Sequence, residues 1–349
     1  MMPKFERVYV TALGYELGPV VVTSAELEER LAPVYGRLNL QPGQLEAWTG
    51  ICERRWWQPG FQLSIGAIAA ARKALRKAAV EPADIGVLIY AGVCRENFEP
   101  ATACAVADGL GIRGSAFAYD LSNACLGVLN GMIEVANRIE LGQIRAGLVV
   151  SCETAREINE IALERLLGGA DMDQFSRAIA TFTGGSGAVA VLLTDGSFPG
   201  APGHRLRGAV SETAPEHHRL CHWGLEPAVG GRQEQFMSTD SVAVLKHGVQ
   251  LGARTFGLFL QHMGWQTAEL DRVVCHQVGS GHQEAILKAL QIPKDKDFVT
   301  YRFLGNMGTA ALPVTAAIAE ERGVLKAGQR TAFLGIGSGL TCLMVGLEW

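Results

Sequence analysis

Six short apolar runs punctuate the chain: Ile85–Tyr90, Phe117–Tyr119, Ala146–Val150, Val273–Cys275, Phe298–Val299 and Ala332–Leu334. They lack the polar alternation of a half-solvated strand, so they predict strands buried on both faces. Longer segments between them predict helices, among them Gly127–Glu140, His282–Leu290 and one ending near Glu321. The order strand–helix–strand–helix–strand occurs twice, with Tyr119 and Tyr301 at matching places. We read two similar α/β halves, 1–198 and 199–349, joined near 196–206, where Gly, Pro and Ala cluster. Any two α/β segments share such spacing, so the repeat also admits a coincidental origin. Residues 156–178 predict a helical insertion broken at Gly168-Gly169. Residues 211–240, with Pro215, Pro227 and Gly230-Gly231, predict an irregular loop. Either insertion suits the wall of a substrate channel or an inert surface excursion.

Composition narrows the class. The chain has 349 residues, 48% hydrophobic and 19% charged, with 42 glycines, which fits a compact α/β enzyme with many tight turns. A net charge of −4 argues against a general nucleic-acid surface. The apolar runs are too short to span a bilayer, and the first ten residues show no signal-peptide pattern. The expected setting is the cytoplasm, with reduced thiols and no stable membrane insertion. None of the eight cysteines forms a C-x-x-C pair, so neither a metal centre nor a cofactor is expected.

Cys125 stands out because it follows the run ending at Tyr119 and precedes the helix at Gly127. A helix start offers free N–H groups and partial positive charge, which favour a thiolate able to take an acyl group from a thioester. The competing reading is a buried packing cysteine. His276 ends the Val273–Cys275 strand, and Asn306 occupies the loop of the second half that corresponds to the Cys125 turn. Active residues gather at the carboxyl ends of strands in α/β sheets, so two related halves bring the three together. A nucleophile plus His and Asn donors suits carbon–carbon bond formation between thioesters. A satisfied core histidine is the competing reading of His276 alone. The loop Gly335–Leu340 (GIGSGL) supplies backbone N–H groups at Gly337, Ser338 and Gly339, which with that of Cys125 suit an oxyanion hole. It lacks the features of a dinucleotide fingerprint.

The segments DLSNACLG, VVCHQV, FLGNMGTAALP and GIGSGLTC resemble the thiolase superfamily, in its ketoacyl synthase III branch, in the family's order and over nearly the whole chain. The resemblance implies a five-layer α-β-α-β-α fold, a homodimer, and a catalytic triad of Cys125, His276 and Asn306. Arg54-Arg55-Trp56-Trp57, Met237–Asp240, the stretch Gly335–Cys342 and above all Glu99 are similar to the subgroup that joins two acyl-CoAs head to head in olefin biosynthesis. Glu99 lies 26 residues before Cys125, where ketoacyl synthase III typically has an aromatic residue. In the subgroup a Glu here reaches into the partner subunit's site as base. The physical distinction is the nucleophile's origin: a malonyl donor forms its carbanion by losing CO₂, whereas a fatty acyl-CoA must lose an α-proton. The other reading of Glu99 is a solvated loop glutamate.

The leading expectation is therefore a Claisen condensation of two acyl-CoAs through acyl-Cys125, giving a β-keto acid. The alternatives are decarboxylative condensation of acyl-CoA with malonyl-acyl carrier protein, and a catalytically silent acyl-binding scaffold. Arg54, Arg55 and Arg302 are candidates for CoA phosphates. Trp56 and Trp57 are expected to pack, and His217, His218 and His222 to belong to a solvated loop.

Overall fold

The computed structural model describes residues 3–200, 203–227 and 231–349. Met1 and Met2, Ala201 and Pro202 of the joining segment, and Gly230 of the 211–240 stretch lie outside them. The first half runs β1 (Tyr9–Leu17), β2 (Val20–Thr23), α1 (Ser24–Arg30), α2 (Ala32–Leu38), α3 (Gln44–Thr49), β3 (Glu53–Trp56), α4 (Leu63–Ala78), β4 (Ile85–Ala91), α5 (Thr102–Leu110), β5 (Phe117–Leu121), α6 (Gly127–Glu140), β6 (Ala146–Glu153), α7 (Arg156–Leu167), α8 (Met172–Phe182) and β7 (Gly187–Thr194). The second half runs β8 (His204–Thr213), β9 (Cys221–Pro227), β10 (Gln233–Thr239), α9 (Ser241–Met263), β11 (Arg272–Cys275), α10 (Ser280–Leu290), α11 (Tyr301–Leu304), α12 (Ala311–Glu321), β12 (Arg330–Gly337) and β13 (Thr341–Glu348).

One nine-stranded sheet carries the order β11-β12-β13-β8-β1-β7-β6-β4-β5. Read outward from its centre, the two arms match in sense. β1–β7 and β7–β6 are antiparallel and β6–β4 parallel; β8–β13 and β13–β12 are antiparallel and β12–β11 parallel. Among the described residues β1 and β8 pair at Tyr9↔Arg205 and Val10↔His204, and Lys4 bridges Gly208 beside them. Every residue of β6 and β7 is buried, which explains their largely apolar sequence.

Three apolar clusters define the layers. α6 and α12 pack between the arms, joining Val149 and Val191 of one to Phe333 and Val345 of the other. α4 and α5 cover the outer face of the first arm with small residues such as Ala70, Ala74 and Ala103. α9 and α10 cover the outer face of the second through Leu251, Phe259 and Leu287. This is the α-β-α-β-α arrangement of the thiolase fold. Each large aliphatic side chain buried in the central layer contributes about 1.5–3 kcal/mol of transfer free energy.

Two expectations fail. Phe298–Tyr301 is not a strand: Asp297 makes a single parallel bridge to Val273, and Tyr301 opens α11. Phe298 packs on the central cluster without a ladder. The 211–240 stretch is not an irregular loop either, because β9 and β10 form an antiparallel ribbon in which Trp223 pairs with Met237. Arg165 of α7 donates to Glu226 and Glu234 across that ribbon at 2.5 and 2.7 Å. The insertion is the hairpin α7–α8. An Asp171–Gln174 capping box starts α8.

Candidate active site

A cavity of about 720 Å³ opens at the carboxyl ends of β4, β5, β6, β11 and β12. Val93, Cys125, Glu153, His276 and Ser338 line it, each just beyond or near the end of one of those strands, and Asn306 joins them. The ribbon, α8 and α9 complete the wall with Trp223, Ile179, Val244 and Leu245. The structure therefore brings the three residues singled out in the sequence into one mostly apolar chamber.

Cys125 sits on a sharp turn. Ala124 before it adopts φ 44°, uncommon for a residue with a Cβ, and Leu126 N–H closes the turn on Asn123 O at 2.9 Å. α6 begins two residues later without a side-chain cap. One of its free N–H groups, that of Val128, donates to Thr309 Oγ1 of the other half at 2.7 Å. Burial, then Cys221 and Glu153, push the Cys125 thiol up to about 12, with its own N–H pulling the other way. Burial thus outweighs the helix start, and the resting group is a thiol, contrary to the expected thiolate. Gly337 keeps the approach to this turn clear. A Cβ there would stand 3.3 Å from Cys125 N. Gly337 and Ser338 line the cavity. Gly339 is not among the residues lining it, and its φ is 141°.

His276 is anchored by its N–H to Leu334 O at 3.0 Å. Burial, with His282 adding to it, holds the imidazole at about 4, so it is neutral at physiological pH. Its buried Nδ1 has no hydrogen-bond partner among the described residues. Asn306 is fixed through its backbone: its N–H donates to Thr183 O at 2.8 Å, and Gly185 N–H donates to its O at 2.9 Å. Its side-chain Oδ1 accepts Gly308 N–H at 3.0 Å. That bond assigns the amide orientation and leaves the NH₂ end as donor.

Glu99 is elsewhere in this chain. It lies exposed beside Phe98, itself 96% exposed, in the loop between β4 and α5. Arg54 is fully buried and donates to Val22 O and Ser24 Oγ at 3.3 and 3.0 Å. Its guanidinium ties β2 and α1 to β3 and is not presented to a CoA phosphate in solvent. Arg55 stands 3.6 Å from Glu53, and Arg302 is exposed. Trp56 and Trp57 pack, Trp57 stacking on Phe61 with centroids 4.3 Å apart. His217 stacks on His247, while His222 is on β9 and on the cavity wall. Among the described residues no group of three His, Cys, Asp or Glu is placed to hold a metal ion.

Three cavity residues were missed in the sequence: Glu153, Cys221 and His282. Glu153 had a readable signal, as the only charged residue of the apolar run Ala146–Glu153 (AGLVVSCE). Cys221 and His282 had none, because only the folding of β9 and α10 turns them inward.

Residues 260–349 match the family model described as 3-oxoacyl-[acyl-carrier-protein] synthase III, C terminal. The chain is 52% identical to the acyl-CoA:acyl-CoA alkyltransferase of Shewanella oneidensis over 99% of its length and 100% of that protein's. It is 37% identical to the enzyme of that name from Xanthomonas campestris, over 99% of each. Crystal structures of Xanthomonas campestris OleA superpose with a TM-score of 0.93 at 36% identity, covering 100% of this chain and 98% of that one. A cysteine-to-serine variant of that enzyme, solved with lauric acid and lauroyl-CoA bound, superposes with a TM-score of 0.91. With its cysteine, histidine and asparagine around one apolar chamber of a thiolase fold, this chain belongs to the OleA family of acyl-CoA:acyl-CoA alkyltransferases.

Proposed function

We propose that this protein joins two fatty acyl-CoAs by Claisen condensation and releases a β-keto acid. The observation that carries the reading is the convergence of Cys125, His276 and Asn306 on one large apolar cavity. In the first step Cys125 Sγ attacks the thioester carbonyl as its proton passes to neutral His276. The C–S bond to CoA breaks, and CoA leaves as the thiol with that proton. The N–H groups of Cys125, Gly337 and Ser338 offer donors for the oxyanion.

In the second step the partner subunit's Glu99 removes the α-proton of another acyl-CoA. His276 and the Asn306 amide receive the enolate oxygen, and the α-carbon attacks the acyl-Cys125 carbonyl. The bond to Sγ breaks, the sulfur takes up a proton to balance the one Glu99 removed, and water then cleaves the product thioester into β-keto acid and CoA. An exposed Phe98-Glu99 pair and the outer edge of β5, which pairs only with β4 among the described residues, support a homodimer that places Glu99 in the neighbouring cavity. In the Xanthomonas campestris enzyme, the glutamate and the cysteine altered in the solved variants are separated by 26 positions, as are Glu99 and Cys125. Arg55 and Arg302 remain candidates for CoA phosphates. Delivery by CoA, a cytoplasmic setting and the absence of a cofactor belong to the same reading.

The test is incubation with acyl-CoA alone. β-Keto acid, or the ketone it yields, is the expected product. A strict requirement for malonyl-acyl carrier protein would overturn the reading in favour of decarboxylative condensation. In Glu99→Ala, acylation of Cys125 should persist while condensation is lost.

A further inference from the structure

Glu153 ends β6 with 3% exposure, on the wall of the catalytic cavity, and neither step above uses it. A buried carboxylate persists only where donors replace its lost water. Oε1 accepts Val93 N–H at 2.9 Å and Oε2 accepts Cys94 N–H at 3.1 Å. The backbone of Thr309 approaches it from the other side and favours its charged form.

Two loops meet at this carboxylate. Val93 and Cys94 open the loop that carries Glu99. Thr309 follows Asn306, and its hydroxyl accepts Val128 N–H at the start of α6. Gly308, at φ 55°, sits directly against it, close enough that a Cβ there would touch Glu153 Cδ and Cγ at 3.4 Å. Glu153 itself is fixed, because its main-chain O accepts Trp57 Nε1–H at 3.0 Å. The rest of the Glu99 loop is tied independently. Tyr90 donates its hydroxyl to Cys94 O at 3.0 Å, and Ser64 donates N–H and O–H to Glu96 Oε1 at 2.7 Å each. One carboxylate thus bridges the base-bearing loop and the Asn306 loop.

We infer that Glu153 is a positioning residue for the condensation step, clamping the Glu99 loop to the Asn306 loop beside Cys125. The inference rests on the proposed role of Glu99. It separates the two half-reactions: acylation needs Cys125 and His276, whereas condensation needs both clamped loops. A glutamine at 153 offers one acceptor oxygen where the loops need two.

The test uses the full-length enzyme and its E153Q and E153D variants. Intact-mass measurement follows acylation of Cys125 in a single turnover. Product analysis follows condensation after a second acyl-CoA is added. In E153Q, acylation should stay within about threefold of the parent while condensation falls by ~100-fold, the scale on which small displacements of reacting groups are felt. E153D keeps two acceptor oxygens and should recover part of that loss. Equal losses in both half-reactions, or undiminished condensation in E153Q, would overturn the inference. If E153Q fails to fold, the same split measured in E153D decides. A parent enzyme that condenses only with a malonyl donor would overturn the reading of Glu99 instead. The split measured with that donor would then judge the clamp on the Asn306 loop alone.

Discussion

The two arms of the sheet end differently. The first finishes in β5, a full strand whose register with β4 runs from Val87↔Phe117 to Ala91↔Leu121, and the Cys125 turn follows directly. In the second arm the corresponding strand has shrunk to the single bridge between Val273 and Asp297. The Asn306 loop therefore has no strand of its own to aim it. Its backbone bonds to Thr183 and Gly185 of the first half do so instead. The nucleophile is placed by its own half and the amide by the other. The two arms thus carry loops at matched places, and the second, lacking a full strand, depends on the first.

Removing the residue placed locally gives the largest effect. Cys125→Ala should abolish the acyl adduct in intact-mass spectra and lower condensation by at least ~1000-fold. Removing the residue placed across halves should act on one step. Asn306→Ala is expected to slow condensation by ~100-fold, as loss of a single oxyanion donor does, with a smaller effect on acylation in single-turnover measurements.

Disturbing the support rather than the amide tests the dependence itself. A Cβ at Gly185 would lie 1.9 Å from Leu304 O, a backbone atom unable to swing aside. Gly185→Ala should destabilise the fold by about 3 kcal/mol in urea titrations, near the upper end of overpacking costs, and slow condensation at temperatures where the enzyme is folded. A variant of parental stability and activity would show that the cross-half bonds do not position Asn306.

The smallest effect concerns a peripheral tie between the halves. Glu320 of α12 meets Lys77 of α4 at 2.5 Å and His204 of β8 at 2.9 Å. Burial works against its charge, but bonds from His204 and Lys77 outweigh it and bring the carboxyl to about 2. A depressed carboxylate stabilises the fold above its unfolded value of 4.5, and that contribution fades as pH falls toward 2. Because the pair is partly solvated, the loss should be no more than about 1 kcal/mol. Glu320→Gln should flatten the acid limb of the stability profile by that amount, and an unchanged limb would remove the tie from the comparison.

Much of this was legible in the chain. The apolar runs of β4, β6 and β12 marked buried strands, and Cys125, His276 and Asn306 stood out by their matched places after them. The failures have physical causes. Phe298–Tyr301 reads as a strand because apolar packing and ladder pairing select the same residue types, and only tertiary contacts show which operates. β9 and β10 were obscured by His222, Glu226 and Glu234, whose charges suit a ribbon's solvent face as well as a loop. Arg54 looked like a phosphate ligand because sequence does not reveal that its guanidinium is capped by Val22 and Ser24. The thiolate expectation for Cys125 counted the helix terminus but not the desolvation, which only the closed chamber creates.

The cross-half anchoring of Asn306 bears on when the molecule comes alive during synthesis. A growing chain carries Cys125 long before it carries His276, Asn306 or the Gly337 strand end. Until those arrive the thiol has neither its proton acceptor nor its finished chamber, so a half-made polypeptide does not sequester acyl groups it is unable to join. We expect a fragment ending at Asp195, just after β7, to leave Cys125 unmodified by acyl-CoA. An adduct in its mass spectrum would show that the first half is competent by itself.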